Sequence, residues 1–309
     1  MLDPARLYEL TGDPPALDRP VLLQALTGFV DAGSAVQLSR QHLLDGLDNR
    51  PLAVFDVDQL LDYRSRRPSM IFAEDHWESY EQPRLELHLV HDTGDTPFLL
   101  LAGPEPDVQW ERFIAAVTGL IERLDVRVTL GLNGIPMAVP HTRPVGVTAH
   151  ATRRELLDEH ESWLQRVQVP ASVGNLLEFR LGESGRDAMG FAAHVPHYLA
   201  QTDYPAAAEV LLTSVSRSTG LRLPTDDLRA AGELVRAEVD KQVAEDEQAT
   251  SLVAALEQQY DAFLRGRQGT SLLAGRSGPL PTAEELGAEL ERFLAEQTKG
   301  GGEPPVPPR

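Results

Sequence analysis

The polar residues best placed to do chemistry begin in a short turn near the start of the chain. Gly28, Asp31 and Gly33 follow the apolar run 21–27 and precede a segment of helical periodicity. Backbone N–H groups at such a turn, together with the helix dipole, can hold an anion. The turn matches neither a P-loop nor a dinucleotide-binding fingerprint, and Asp31 would repel phosphate while serving well as a helix N-cap. We therefore treat the turn as a candidate small-ligand site. Helix capping alone would also explain its residue types.

A second candidate group lies on a proline-bounded loop farther along the chain. Asn133 stands at the end of a predicted strand, and His141 and Arg143 follow between Pro140 and Pro144. Loops of this kind display polar groups at the carboxyl edge of a parallel sheet, where they can bind a carboxylate or a phosphate. Arg143 is equally suited to pair with an acidic residue at a subunit contact, and no nucleophile is identifiable nearby. We assign no catalytic residue.

Metal and cofactor chemistry finds little support in the sequence. The chain has nine histidines and no cysteine, which excludes disulfides, cysteine nucleophiles and thiolate-held metals. His88 and His91 are three residues apart on a predicted strand, so they point to opposite faces of it. No Gly-x-Ser-x-Gly elbow occurs. We expect no metal and no cofactor.

The densest basic patch is a candidate for partner binding. Arg64, Arg66 and Arg67 lie close together, and Trp77 and Tyr80 follow them. Such a patch can dock an acidic partner, or it can clamp onto the acidic helices of its own chain or of another subunit. Charge complementarity supports both interpretations. These five residues form the candidate partner-binding set.

The net charge excludes two classes of partner. The chain has 28 lysines and arginines against 47 aspartates and glutamates, for a formal charge of -19. A surface of that sign repels a phosphate backbone and an anionic bilayer. We therefore expect no nucleic acid and no membrane as partner. The first twenty residues lack the basic region and apolar core of a secretory signal, so the cytoplasm is the expected location.

Alternating strand and helix patterns must position these loops. The apolar runs 21–27, 98–102 and 126–132 are typical of strands covered on both faces. Residues 70–73 and 85–90 are predicted to pair as antiparallel strands, because turn-like segments surround them. The alternation predicts an α/β domain with a mainly parallel sheet and helices on both faces.

The character of the chain changes beyond Leu223. Helical patterns with apolar stripes continue there, but their outer face is strongly acidic. We predict four parts: an N-terminal segment (1–20), an α/β core domain (21–222), an acidic helical region (223–298) and a disordered, Gly/Pro-rich tail (299–309).

Four motifs, in this order and spacing, resemble a known family. They are Gly28–Gly33, Asp62–Pro68, Gly103–Pro106 with Trp110, and Pro140–Pro144. Together they look like the actinobacterial members of the proteasome assembly chaperone 2 family, over roughly residues 20 to 220. Four ordered motifs are far more specific than any one of them alone.

The resemblance implies a three-layer α/β/α sandwich similar to the phosphorylase/hydrolase-like fold. It also implies homo-oligomers, with a trimer as the first expectation, and binding to proteasome subunits or other proteins. It implies no established catalytic residues. Relatives that dock on proteasome rings can use a C-terminal hydrophobic-Tyr-any tail, whereas this sequence ends Val306-Pro307-Pro308-Arg309. We therefore do not expect docking by a tail of that kind.

Three hypotheses about function follow. The first is a noncatalytic protein-binding oligomer, a proteasome-assembly-type chaperone or a proteasome-associated factor. The alternative is a small-molecule enzyme of the nucleoside phosphorylase/hydrolase-like class, with Gly28, Asp31, Asn133 and Arg143 lining one pocket, which rests on fold analogy. A third is an architectural oligomer whose acidic C-terminal helices cover a neighbouring subunit.

Overall fold

Strands and helices alternate along most of the chain. The structure is a computed structural model, and it describes residues 2–28, 30–157 and 167–274. Within these ranges the strands are β1 (Tyr8–Leu10), β2 (Val21–Thr27), β3 (Asn49–Phe55), β4 (Met70–Ala73), β5 (His76–Tyr80), β6 (Glu86–His91), β7 (Pro97–Pro104), β8 (Val128–Met137), β9 (Val147–Ala151) and β10 (Ala188–Pro196). The α-helices of the same ranges are α1 (Ala35–Gly46), α2 (Trp110–Arg123), α3 (Val173–Glu183), α4 (Pro205–Thr219), α5 (Asp226–Glu245) and α6 (Glu247–Ala274).

Eight of the described strands form one sheet in the order β1-β3-β6-β7-β2-β8-β10-β9. Its centre, from β7 through β2 and β8 to β10, is parallel. The strand β6 runs antiparallel to both β3 and β7, and β9 runs antiparallel to β10. The carboxyl ends of the four parallel strands therefore meet at one edge of the sheet, and the loops that follow them carry several of the candidate residues.

Side chains on the central strands alternate between two hydrophobic cores, one on each face of the sheet. Val21, Leu23 and Ala25 of β2 join residues of α1, α4 and α5 in one core. Leu22 joins residues of α2 and α3 in the other. Burial on both faces explains the nearly continuous apolar sequence of these strands. The expected three-layer α/β/α sandwich is confirmed.

The predicted pairing of residues 70–73 with 85–90 is wrong. The strand β4 pairs with β5 in a separate two-stranded sheet, whereas β6 lies between β3 and β7 in the main sheet. A tight turn with Glu74 at φ 50° reverses the chain directly after β4. The two apolar segments also differ in burial, since Leu87 and Leu89 are buried while most of β4 is exposed. Because a strand with covered faces belongs inside a large sheet, β6 takes that place and β4 does not.

The acidic helix α5 packs on the outer side of α4. Leu228 and Val239 of α5 belong to the core that α4 shares with the sheet, and Gly232 lies against Ala206. Residues 1–258 form one compact unit, and residues 259–309 are assigned to a second. The predicted domain limits at residues 20 and 222 stay predictions. The predicted limit at 298 and the predicted disordered tail 299–309 lie outside the described residues.

Glu105 connects the carboxyl ends of β2 and β7 to α3. It follows β7 directly, and its backbone N–H donates to the carbonyl of Thr27 at 2.7 Å. Its side chain is buried, and the carboxylate accepts a hydrogen bond from the backbone N–H of Val173 in the first turn of α3. The side chain fills the space beside Gly28, where an added Cβ atom would lie 2.7 Å from Cβ of Glu105. Close packing, rather than a turn, therefore requires glycine at this position.

Gly28→Ala is expected to lower the free energy of unfolding by about 2 kcal/mol, because the new methyl group overlaps the buried Glu105 side chain. Denaturant unfolding of purified protein measures the change. The control is Gly119→Ala in α2, where an added Cβ meets no atom within 4 Å. We expect that variant to gain up to about 1 kcal/mol from the better helix propensity of alanine. Equal stability of the two variants would contradict the packing argument.

Candidate functional site

The first candidate turn is built as a helix cap. One oxygen of the Asp31 carboxylate accepts the backbone N–H of Val36 at 2.8 Å, and the other accepts that of Gln37 at 3.0 Å. Asp31 therefore caps the first turn of α1 with its side chain, as predicted, although the N-cap position of this helix is occupied by Ser34. Gly33 has φ 66°, donates its N–H to the carbonyl of Ala200, and leaves no room for a Cβ beside Tyr204. Most N–H groups that an anion would need here thus already have protein partners.

Asp31 also faces a partly buried arginine. Burial raises the pKa of Asp31, while the capping N–H groups and the positive charge of Arg40 act in the opposite direction. Burial likewise lowers the pKa of Arg40, and the neighbouring carboxylate of Asp31 offsets part of that shift. The Arg40 guanidinium donates to the hydroxyl of Thr27 at 3.3 Å. Arg40 therefore places a positive charge beside the end of β2, a feature that our reading of the sequence did not predict.

His141 lies in a buried hydrogen-bond chain. Its backbone N–H donates to the hydroxyl of Tyr198 at 2.9 Å, and its Nδ1 lies 2.6 Å from the same oxygen. Its Nε2 lies 3.0 Å from Oδ1 of Asp240 in α5. A proton on Nε2 lets the ring donate to the carboxylate of Asp240. Burial also raises the pKa of Tyr198. The chain Tyr198–His141–Asp240 therefore fastens α5 to the loop after β8.

Arg143 fastens the loop after β8 to α6, as His141 fastens it to α5. Its guanidinium donates to Glu257 of α6 at 3.1 Å, and the hydroxyl of Thr142 donates to the same carboxylate oxygen at 2.5 Å. The sequence allowed Arg143 to pair with an acidic residue at a subunit contact. The structure shows an acidic partner, Glu257, within the same chain, and a contact of Arg143 with another subunit stays a prediction.

Asn133 lies elsewhere, on the face of the sheet that carries α2 and α3. It lines a cavity of about 490 Å³ at the carboxyl edge, together with Gln24, Glu105, Thr148 and His150. His141 and Arg143 line a different cavity beside α4 and α5. The structure therefore does not bring Asn133 into one pocket with His141 and Arg143.

Among the described residues that line this cavity, Asn133 alone was a sequence candidate. Gln24, Glu105 and His150 are three of those that were not. The available signal was the single glutamine within the apolar run 21–27, because a polar residue in a strand covered on both faces needs a reason to be there. Glu105 lies in the motif Gly103–Pro106, and no comparable local signal marks His150.

A buried histidine lies next to this cavity. Nε2 of His194 on β10 lies 2.8 Å from the hydroxyl of Thr148. Burial lowers the pKa of His194 from 6.5 to about 4, so the ring is neutral near neutral pH. It is therefore a neutral structural partner of Thr148.

The basic loop divides into one internal clamp and two exposed charges. The Arg66 guanidinium donates to the backbone carbonyl of Glu105 at 2.9 Å and forms a 2.8 Å ion pair with Asp107. Arg64 and Arg67 are exposed. The clamp interpretation thus applies to Arg66, whose partners follow β7 rather than lying on the acidic helices.

The two aromatic candidates lie on the hairpin formed by β4 and β5. Trp77 is 63% exposed and Tyr80 is 49% exposed. The ring of Trp77 packs edge-on against Phe72, with 5.1 Å between centroids. Near the base of the hairpin, Arg67 and Ser69 line a groove of about 540 Å³. The structure therefore brings the basic loop and the hairpin to one neighbourhood.

The described ranges contain neither a cluster of metal ligands nor a helix suited to a membrane. These residues contain no group of three or more histidines, aspartates or glutamates that could hold a metal ion. None of the helices placed there combines the length and the apolar character that a bilayer crossing requires.

Comparison with known proteins identifies the family of the chain. A model of the PAC2 family matches residues 25–243. The chain belongs to the PAC2 family. The resemblance predicted from the four motifs is thereby confirmed. The PAC2 match begins within β2 and ends within α5, so it includes the loops that follow β2, β7, β8 and β10.

Solved structures of related proteins support the PAC2 assignment. A Mycobacterium tuberculosis protein of unknown function, Rv2714, is 49% identical, with a TM-score of 0.83 over 86% of this chain and 92% of that one. A Corynebacterium glutamicum protein of unknown function is 42% identical, with a TM-score of 0.81 over 84% and 98% of the two chains.

A third relative carries a functional description. The Mycobacterium tuberculosis proteasome-assembly chaperone homologue Rv2125 is 26% identical, with a TM-score of 0.69 over 75% of this PAC2 chain and 99% of its own. These sources agree with the predicted actinobacterial branch of the family. No curated protein matches the chain.

Asp240→Ala is expected to loosen α5, because it leaves the buried Nε2–H of His141 without its acceptor. We expect the free energy of unfolding to fall by about 1–2 kcal/mol, with faster hydrogen exchange in α5. The control is Glu245→Ala, at an exposed residue at the end of the same helix. We expect it to change stability by less than about 0.5 kcal/mol. Unchanged exchange in Asp240→Ala would show that the chain of hydrogen bonds does not hold the helix.

His194 predicts a loss of stability in mild acid. The unfolded chain binds a proton at this histidine near pH 6.5, whereas the folded chain does so only near pH 4. Stability from this group is therefore fully present above pH 6.5 and is lost as the pH falls toward 4. We expect wild type to lose about 1 kcal/mol per pH unit more than His194→Gln near pH 5, measured by urea unfolding. His76→Gln, on the exposed hairpin, should follow wild type; a parallel course for His194→Gln would refute the assignment.

Proposed function

We propose that this chain is a noncatalytic protein-binding oligomer of the proteasome-assembly type that works in the cytoplasm. The observation that carries the proposal is the exposed apolar hairpin β4–β5. The hairpin pairs with no other described strand. Its large apolar side chains are about half exposed; they are Met70, Ile71, Phe72, Trp77 and Tyr80. A contiguous exposed group of this kind marks a contact surface for another protein.

The basic groove beside the hairpin supports an acidic partner. Arg40, Arg67 and Arg84 line it, and Arg64 is exposed on the loop that leads to it. Arg67 and Arg84 are exposed. Nδ1 of the buried His88, also in the lining, has no hydrogen-bond partner among the described residues. Arginine pairs well with carboxylates, so the groove suits an acidic segment of another chain.

Two partners follow from this chemistry. A second copy of this chain is itself acidic, with a formal charge of -19. We therefore propose a homo-oligomer and expect it to be a trimer. Membership of the PAC2 family and 26% identity to a proteasome-assembly chaperone homologue support proteasome subunits as the client. Arg64, Arg66, Arg67, Trp77 and Tyr80 remain the proposed partner-binding set.

The geometry gives less support to the enzyme hypothesis. Asn133 lines one cavity and Arg143 another, while Asp31 caps a helix. The described lining of the Asn133 cavity contains no lysine or arginine to hold a phosphate. A phosphorylase-like site would require Gly28, Asp31, Asn133 and Arg143 to line one pocket, and these four residues do not share one.

The double variant Phe72→Ser/Trp77→Ser tests the proposal. Both side chains are more than half exposed, so we expect the free energy of unfolding to stay within about 0.5 kcal/mol of wild type. We expect the oligomer to dissociate, or binding to purified proteasome subunits of the same host to weaken at least about tenfold, because the apolar contact is lost. Light scattering measures the mass, and surface plasmon resonance measures the binding.

The matched control replaces two equally exposed apolar residues elsewhere. Phe179 on α3 is 58% exposed and Leu234 on α5 is 74% exposed. Phe179→Ser/Leu234→Ser should keep the mass and the binding of wild type. A monomeric wild type that binds no proteasome subunit would overturn the proposed function.

A further inference from the structure

Arg40 is a partly buried arginine without an ion pair. It lies on α1, and among the described residues its guanidinium donates only to the hydroxyl of Thr27, at 3.3 Å. Arg153 and Arg229 are exposed, yet each forms an ion pair with a carboxylate, at 2.6 Å and 2.9 Å. The least exposed of these three arginines is therefore the one without an ion pair, in a chain that has 47 acidic residues.

The carboxylate of Asp31 acts on Arg40 without pairing with it. One of its oxygens accepts the N–H of Val36 and the other that of Gln37, and it forms no ion pair with Arg40. Burial lowers the pKa of Arg40, and Asp31 offsets only part of that shift. Burying a charge costs free energy unless an opposite charge compensates for it. An anion bound at Arg40 would supply that compensation.

The hydroxyl of Thr27 fixes the guanidinium at the carboxyl edge of the sheet. It accepts the hydrogen bond from Arg40 and donates one to the carbonyl of Gly103 at 3.4 Å. Thr27 is the last residue of β2, and Gly103 lies near the end of β7. All three residues line the basic groove of about 540 Å³. A charge held against two central strands loses little conformational freedom when a ligand binds it.

The remaining charges of the groove are more exposed or already paired. Arg67 and Arg84 line it and are exposed. Glu86 is paired with His88 at 3.0 Å, and Glu81 is exposed. Four arginines and two glutamates belong to the described lining, so positive charge exceeds negative charge in the groove. This excess favours a ligand with more than one negative charge.

We propose that Arg40 selects the acidic partner: the partner places one carboxylate against its guanidinium inside the groove, and Arg67 and Arg84 attract the segment from the rim. Salt screens exposed charges more strongly than partly buried ones. The rim therefore governs how fast the segment arrives, whereas Arg40 governs how long it stays. The inference rests on the proposed function, because it takes the ligand to be an acidic segment of a protein.

The test uses the full-length protein and two labelled, end-capped peptides of about eight residues. One alternates glutamate and alanine, and the other has glutamine in place of each glutamate. Fluorescence anisotropy gives the dissociation constants at about 50 mM and at about 500 mM salt. We expect wild type to bind the glutamate peptide at least about tenfold more tightly than the glutamine peptide at the lower salt concentration, the effect of charge-assisted hydrogen bonds.

Matched variants separate Arg40 from the rim. Arg40→Met should lower the preference for glutamate at both salt concentrations, whereas Arg67→Gln/Arg84→Gln should lower it mainly at low salt. Arg40→Lys keeps the charge but loses the planar fork, so we expect an intermediate preference, and it replaces Arg40→Met should that variant fail to fold. The control is Arg217→Met, at an exposed arginine of α4 outside the groove, which should bind as wild type does.

Several results would overturn the inference. They are equal binding of the two peptides, no binding of either, or a preference that survives Arg40→Met. Tighter binding of phenyl phosphate than of the glutamate peptide would also overturn it, because the occupant would then be a small molecule. The proposed function fails on a different result, a monomer that binds no proteasome subunit, so the two failures are distinguishable.

Discussion

The burial of one carboxylate, that of Glu105, constrains the end of the carboxyl edge that β7 and β2 form. A charge of this kind is tolerated away from water only when hydrogen bonds satisfy it, and α3 supplies one through the N–H of Val173. The same residue holds Thr27 through its N–H and Arg66 through its carbonyl. Two parallel strands, a helix and the basic loop are therefore fixed around a single residue, and Gly28 leaves the space for its side chain.

This arrangement links the two faces of the sheet. The side chain of Glu105 borders the cavity of Gln24 and Asn133, whereas its carbonyl holds Arg66 at the rim of the basic groove. A shift of β7 would be felt at both sites. The loops after β8 and β10 are fixed differently, by the contacts of His141 and Arg143 with α5 and α6. The acidic helices thus stabilise one end of the edge, and Glu105 stabilises the other.

The sequence was sufficient for elements whose signals are local. The apolar run of β2, the cap at Asp31 and the alternation of strands and helices predicted the sandwich, because each depends on neighbouring residues. Contacts between distant segments were not predictable in this way. His141 contacts Asp240, which lies 99 residues further along the chain. The strand β4 pairs with β5 and not with β6, because β6 is buried and β4 is exposed, a difference that the composition of the two segments does not reveal. The Asn133 cavity was not predicted for the same reason, since distant segments line it, although Gln24 is an unexpected polar residue in an apolar strand.

The hairpin β4–β5 contributes no buried side chain to either core of the protein. Selection for a stable fold therefore acts weakly on its sequence, while selection for what it touches acts directly. Mutations there can retune recognition without first passing through an unstable intermediate. In this scaffold the ability to fold and the choice of associate can evolve as separate traits.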